Sequence, residues 1–223
     1  MTAFSELVEG TRLDLVSTLK VQREEGRRVF ATSSFQTQSV PLLHLLAQHP
    51  EVTVVMIDTG YLFPETYAFA RRMKERLGFQ FKRIRSERTY AEQCTASGAL
   101  LHTEDVEACC RINKVEPIEA LLQPGDVWLS GIRADQTATR ARKSRLETDG
   151  HGVVRYHPML KWTARDIYRY LREFDLPRHP LESAGYLSIG CLPCTRKWNG
   201  LDARSARWDG SSKTECGLHL ENP

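Results

Sequence analysis

The stretch VTVVMI at 52–57 limits the fold of this chain more than any other. It is β-branched, almost wholly apolar, and lacks the polar alternation of a strand wetted on one face, so it reads as a buried parallel strand. It ends in Asp58-Thr59-Gly60, after which Pro64-Glu65-Thr66 opens a helix running through Leu77. Upstream, residues 28–31 form a short strand that runs into Thr32-Ser33-Ser34-Phe35-Gln36-Thr37-Gln38-Ser39, and Val40–Leu46 follows as a helix with Pro41 in its first turn. Residues 4–25 place their apolar side chains at mostly helical spacing, and 79–84 alternate as a strand. Val127–Ser130 and 153–156 read as further strands, and Thr163 N-caps a helix through Phe174 with Asp166 at its third position. This β-α-β-α-β rhythm predicts an α/β fold: a parallel, doubly wound sheet with helices on both faces.

A length of 223 residues suits one such domain with a tail. The expected division is 1–187, holding the sheet, and 188–223, a C-terminal segment of the same structural unit. A net charge of +3 is too small to imply nucleic-acid binding by bulk electrostatics. No apolar run approaches membrane-spanning length, and the N-terminus lacks the basic and apolar regions of a secretory signal. The expected compartment is therefore the cytoplasm, with no membrane partner. Thiols stay reduced there, and grouped cysteines mean metal or catalysis more often than disulfides.

Three strand ends carry the polar residues of a small-anion site. Strand, hydroxyl-rich turn and helix, the arrangement around Ser34, presents backbone N–H groups and a positive helix end; a plain N-cap is the alternative. Ligands of doubly wound folds sit beyond the carboxyl ends of strands, which favours Asp58 and Thr59, where a plain turn is the alternative, and Arg133 after the strand Val127–Ser130. Of the basic run at 139–145, mostly an exposed face, Arg140 is placed with Arg133 for phosphate contact.

Six cysteines fall into a doublet (Cys109, Cys110), a Cys-x-x-Cys pair (Cys191, Cys194), Cys216 and Cys94. The two pairs suit a tetrahedral zinc site or a four-iron cluster. Adjacent cysteines on a helix point roughly a hundred degrees apart, which suits the separated corners of a cluster better than one ion. Lys114, four residues after Cys110, shares that ligand's face on a continuous helix, or is a surface lysine. Cys216 has no neighbouring cysteine. Arg204, Arg207 and His219 would depress its pKa if the tail folds over the anion site; otherwise it is an inert thiol.

Together these residues resemble the assimilatory adenylyl-sulfate/phosphoadenylyl-sulfate reductases, and look most like the iron–sulfur branch, the thioredoxin-dependent adenosine 5′-phosphosulfate (APS) reductases. The resemblance runs from about Arg28 to His219. It is carried by the modified pyrophosphatase loop Ser34–Ser39, Asp58-Thr59-Gly60, Cys109-Cys110, Ser130-Gly131-Ile132-Arg133, Ile189-Gly190-Cys191-Leu192-Pro193-Cys194-Thr195, Arg204 with Arg207 and Trp208, and Glu215-Cys216-Gly217-Leu218-His219. It implies the adenine nucleotide alpha-hydrolase (PP-loop) type of fold and a [4Fe–4S] cluster on Cys109, Cys110, Cys191 and Cys194. It further implies that Cys216 attacks the sulfate sulfur of APS, releasing AMP, and that thioredoxin (or glutaredoxin) thiols then release sulfite. By the same resemblance Lys114, Arg204, Arg207 and His219 contact the phosphosulfate, Ser34, Thr59, Gly131 and Arg133 hold the nucleotide with Arg140, and the assembly is a homo-oligomer. Two departures stand out: Gln36, where relatives commonly carry a small residue or Gly, and Asn113, where many carry Arg. The rival readings are the same chemistry on 3′-phosphoadenosine 5′-phosphosulfate (PAPS), a tRNA sulfur-insertion enzyme, and a zinc-stapled interaction protein. The second expects an intact Ser-Gly-Gly-x-Asp-Ser loop, and this chain has Ser-Phe-Gln-Thr-Gln-Ser.

Overall fold

The structure, a computed structural model, describes residues 2–200, 204, 206–208, 213 and 215–219, and of His219 only the backbone. Six strands form one sheet: β1 (Val29–Thr32), β2 (Val52–Asp58), β3 (Gln80–Arg85), β4 (Val127–Ser130), β5 (Leu146–Thr148) and β6 (Val154–Tyr156). Their order is β3-β2-β1-β4-β6-β5. All pairs are parallel except β5 with β6, so the sheet is mostly parallel with one antiparallel edge. That edge strand, just beyond the basic run at 139–145, is missed by the sequence pattern: three residues are too few to show an alternation.

Successive side chains of the central strands go to opposite faces, and both faces are dry. Val29 and Ala31 of β1, Val54 and Met56 of β2, and Val127 and Leu129 of β4 join the larger core. Phe30, Val55 and Trp128 face the other way into a smaller one. This two-sided burial explains the unbroken apolar run at 52–57. The larger core is closed by α1 (Ala3–Glu24), α2 (Val40–Leu46), α3 (Pro64–Leu77) and a C-terminal helix at Ala164–Glu173. Each fully buried Leu or Phe there contributes roughly 1.5–3 kcal/mol. The second face is covered by the stretch after β3, which holds α4 (Leu101–Glu104), α5 (Val106–Cys110) and α6 (Glu116–Leu121). The sequence-derived boundaries agree within a residue or two, and the capping box of Thr163 and Asp166 is formed.

From β1 the chain moves outward through β2 to β3, then returns to place β4 against the other side of β1. The end residues Thr32 and Ser130 pair across that reversal. This is the topological switch point, where open α/β sheets leave a crevice beyond the carboxyl ends of their strands.

Candidate active site

A cavity opens at that reversal. One end is lined by Thr32, Ser33, Ser34 and Ser39 at and after the end of β1, by Thr59 after β2, and by Ser130, Gly131 and Ile132 at and after the end of β4. Apolar side chains of α2 and β2, among them Leu42, Leu46 and Met56, form its wall. Gly131 allows the close packing: a Cβ there would come within 3.1 Å of Leu42 Cδ2. Phe35 turns the loop with a left-handed φ of 53°, a strained conformation for a bulky residue that is held by full burial against Phe79 and Phe81. Gln36, the first departure from the family pattern, has a structural use: its Oε1 accepts from the Ile189 N–H at 3.0 Å and ties the loop to the Cys191 segment.

The other end is built from the cysteines and the tail. The helix carrying Cys109 and Cys110 does not continue as an α-helix. Residues Arg111–Val115 form a π turn, which corrects the expectation that Lys114 sits simply one α-turn beyond Cys110. Lys114 is buried and lines the cavity with Cys191 and Cys216. Burial opposes its charge, but Cys191, Cys216 and Cys110 around it more than offset that and push its pKa up. Asn113, the second departure, is buried and donates from Nδ2 to the Cys109 carbonyl at 3.2 Å, with Sγ of the same residue at 3.8 Å.

Cys191 is seated by an antiparallel bridge to Leu62 and by a 3.2 Å hydrogen bond between its Sγ and the Thr59 hydroxyl. The two pairs are neighbours: Cys109 feels Cys110, Cys191 and Cys194, and Cys110 feels Cys191. Burial is the main reason the Cys109 thiol is pushed up to about 11, and it raises Cys110 and Cys194 too. Among the described residues no three His, Cys, Asp or Glu side chains converge as ligands of a single metal ion.

Cys216 is half-buried at the cavity wall. Burial raises its pKa, yet Lys114, the backbone near Leu218 and Arg207 together bring it below the ordinary thiol value. Its backbone N–H donates to Glu215 Oε1 at 2.8 Å. Glu215 is the hub of this end, almost fully buried. It accepts from Arg140 at 2.8 and 2.7 Å, from Arg204 at 3.2 Å and from Thr137 at 3.0 Å. Burial opposes its charge, but these partners keep it ionised and its pKa below the usual carboxylate value. Arg207 rests its guanidinium on Gly190, where a Cβ would lie 2.3 Å from Nη2, and donates from Nε to the Cys194 carbonyl at 3.2 Å. The tail is fastened to the body by the Lys213–Glu107 ion pair and by Arg155, which donates to the Leu218 carbonyl at 2.9 Å.

Comparison with known proteins agrees with this geometry. The model of the phosphoadenosine phosphosulfate reductase domain matches residues 28–197. A curated adenosine 5′-phosphosulfate reductase of Streptomyces coelicolor is 37% identical over 96% of this chain and 90% of its own length. A phosphoadenosine 5′-phosphosulfate reductase of Alkalilimnicola ehrlichii is 40% identical over 88% of this chain and 82% of its own. The chain belongs to the phosphoadenosine phosphosulfate reductase family. It is an oxidoreductase of activated-sulfate reduction, in a family whose similar members carry both the APS and the PAPS name. Two solved structures share the fold: a phosphoadenylyl-sulfate reductase of Candida auris in complex with phosphate (19% identity, TM-score 0.65, 83% of this chain and 94% of that one), and a Candida glabrata FMN adenylyltransferase (17% identity, TM-score 0.62, 87% and 65%).

Set on this reductase fold, Ser34, Thr59, Lys114, Gly131, Arg140, Arg204, Arg207, Cys191 and Cys216 all line one cavity. Arg133 is not among the lining residues. Its buried guanidinium is turned to Asp135 at 2.9 Å and Gln38 at 2.6 Å. Cys109, Cys110 and Cys194 are not among the lining residues, and the side chain of His219 lies outside the described residues. Glu215 is the residue that sequence reasoning missed. It stood in the quoted Glu-Cys-Gly-Leu-His motif, but nothing local shows a glutamate that it will meet Arg140, 75 residues away.

Proposed function

We propose that this reductase reduces adenosine 5′-phosphosulfate to sulfite and AMP through an S-sulfonated Cys216. The observation that carries the reading is a pKa-lowered thiol, Cys216, opening with Lys114 and Arg207 onto a cavity whose far end is the switch-point crevice. AMP is a competent leaving group, so the protein's task is to neutralise charge and align the thiolate with the S–O bond. Cys216 Sγ attacks the sulfate sulfur while the bond to the phosphate oxygen breaks, its electron pair leaving with AMP. Lys114, Arg204 and Arg207 take up the phosphosulfate charge, and Glu215 holds the Cys216 backbone in place. A dithiol of the thioredoxin (or glutaredoxin) type then attacks Cys216 Sγ. Sulfite leaves with the S–S electron pair, and the second thiol closes the reductant's disulfide and returns Cys216 as a thiol.

Cys109, Cys110, Cys191 and Cys194 would hold a [4Fe–4S] cluster. The donor chemistry fits: four thiols on two neighbouring segments, with Cys109 close enough to feel Cys110, Cys191 and Cys194, are the donor type such a cluster takes. When bound, the cluster supplies an electrostatic neighbour to Lys114 and the substrate rather than an electron path.

The choice of APS over PAPS is supported by the distribution of charge. The lining cations, Lys114, Arg140, Arg204 and Arg207, belong with the sulfur end, whereas Ser33, Ser34, Gln36, Gln38, Ser39 and Gln136 give the nucleotide end neutral side chains. Arg133, predicted at the nucleotide, is occupied by Asp135 and Gln38. A ribose 3′-hydroxyl suits such a surface and a 3′-phosphate dianion does not. The decisive experiment is anaerobic purification with iron and sulfide quantitation, followed by a single exposure to APS without reductant. Mass spectrometry is expected to find a sulfonate on Cys216, and Cys216→Ser to keep the brown chromophore and lose turnover. An adduct on any other cysteine overturns the mechanism, and a tenfold preference for PAPS, about 1.4 kcal/mol, overturns the choice of substrate.

A further inference from the structure

The three buried tryptophans of the described residues differ in how their indole N–H is used. Trp128 donates to Thr32 Oγ1 at 2.9 Å, and Trp162 to Thr11 Oγ1 at 2.9 Å. Trp208 is 4% exposed, and its Nε1 is fully buried without a hydrogen-bond partner among the described residues. An unmet buried donor costs about 1–3 kcal/mol. The same residue has a left-handed φ of 54°, an additional cost of about 1–3 kcal/mol for a side chain of this size. Both penalties fall on a residue that lines the cavity with Cys216, Lys114 and Cys191.

The surroundings show what the N–H is for. The Trp208 backbone N–H is fixed to the Cys194 carbonyl at 3.1 Å, so the ring is anchored to the second cysteine pair. Its face holds Arg207, Arg204 and Lys213 at 4.6, 5.6 and 5.9 Å from the ring centroid. Stacking alone does not require an indole: a phenylalanine offers the cations a face and leaves no donor orphaned. A buried N–H within a cluster of cations calls for an anionic oxygen as acceptor. The oxygens brought closest to Cys216 in the reaction are those of the sulfate.

Resting on the reading of this cavity as a phosphosulfate site, we propose that the indole N–H of Trp208 donates a hydrogen bond to a sulfate oxygen of the bound substrate, making Trp208 a sulfate-recognising residue distinct from the cations it carries. The test uses anaerobically purified protein carrying Cys216→Ser, so that APS is bound and not consumed. Adding Trp208→Phe is expected to weaken APS binding about tenfold, the low end of a hydrogen bond to a charged group, and to leave AMP, which lacks the sulfate, within about twofold. An unchanged APS affinity, or an equal loss for AMP, overturns the proposal. A second measurement does not depend on how the Phe variant folds. In the indole ¹H–¹⁵N spectrum, assigned by single Trp→Phe replacements among the four tryptophans, the Trp208 signal is expected to move downfield with APS and to stay in place with AMP. APS binding with an unmoved Trp208 signal overturns this assignment alone. No APS binding by the Cys216→Ser protein overturns the functional reading and this proposal together.

Discussion

The two ends of the cavity are built on opposite plans. The nucleotide end is local: Thr32 ends β1, Ser34, Thr59 and Gly131 come within two residues of a strand end, and the sheet register brings these ends together. Its polar groups are neutral, and its walls are the apolar side chains of α2 and β2. The sulfur end is assembled from four distant pieces, namely the π turn after Cys110, the Cys191–Cys194 segment, the short helix at Ala138–Ala141 and the tail. It is held by one buried carboxylate among cations. A ledge of backbone and hydroxyls suffices to seat a nucleotide. Setting a thiolate against a sulfur requires charges whose positions are fixed by other charges. The first end should therefore tolerate side-chain change, and the second should fail as a unit.

Replacing Glu215 with Gln gives the widest separation between the two. It leaves the buried Arg140 and Arg204 without their carboxylate, a loss of about 3–5 kcal/mol in stability. Turnover should drop below detection, and AMP affinity measured by calorimetry should change far less. Equal losses would show that the ends are one cooperative unit. Lys114→Met removes the strongest charge holding the Cys216 thiol down. Its rate profile for alkylation should move to higher pH, slowing the reaction at neutral pH by about tenfold for each unit of displacement. An unmoved profile would give the role to Arg207. Gly190→Ala forces the Arg207 guanidinium off its seat. It should lower the rate of sulfite release by about tenfold, the value of a misplaced charge contact of ~1.4 kcal/mol, with AMP binding intact.

The smallest expected effect lies beneath the nucleotide end, at the buried His157 that shares a 2.9 Å hydrogen bond with Ser130. Burial first, then Arg155, Lys143 and Arg140, push its pKa down to about 3. The unfolded chain therefore binds a proton below about pH 6.5 that the folded chain refuses, and stability falls as pH drops from there toward 3. His157→Gln should flatten that fall in denaturant titrations, relative to wild type, without altering turnover at neutral pH. A slope unchanged by the substitution would assign the acid sensitivity to His179, which burial lowers to about 4.

Much of this was legible in the residues. β-branching marked β2, alternation marked β3, and the position of Thr59 after a strand end put it at the crevice. The pairing of four cysteines with a fifth left apart marked out Cys216, which lines the cavity together with Cys191 of the second pair. Arg133 and Glu215 mark where that reading stops. Both arginines after β4 looked alike as phosphate ligands, but Arg133 turns to Asp135 and Gln38 and leaves the cavity wall, while Arg140 reaches the wall bound to Glu215. The π turn was equally hidden, because its hydrogen bonds span one residue more than those of an α-helix and the sequence around Asn113 carries no mark of the change.

The sequence by itself determined the sheet, the crevice and the chemical types present, since these follow from local periodicity and from what thiols, hydroxyls and glycines can do. Only the tertiary structure decided which cations face the cavity, that Glu215 holds them, and that Trp208 keeps an unmet donor there. Those outcomes depend on ion pairs and hydrogen bonds between segments tens of residues apart, whose energies exist only once the chain has closed around them.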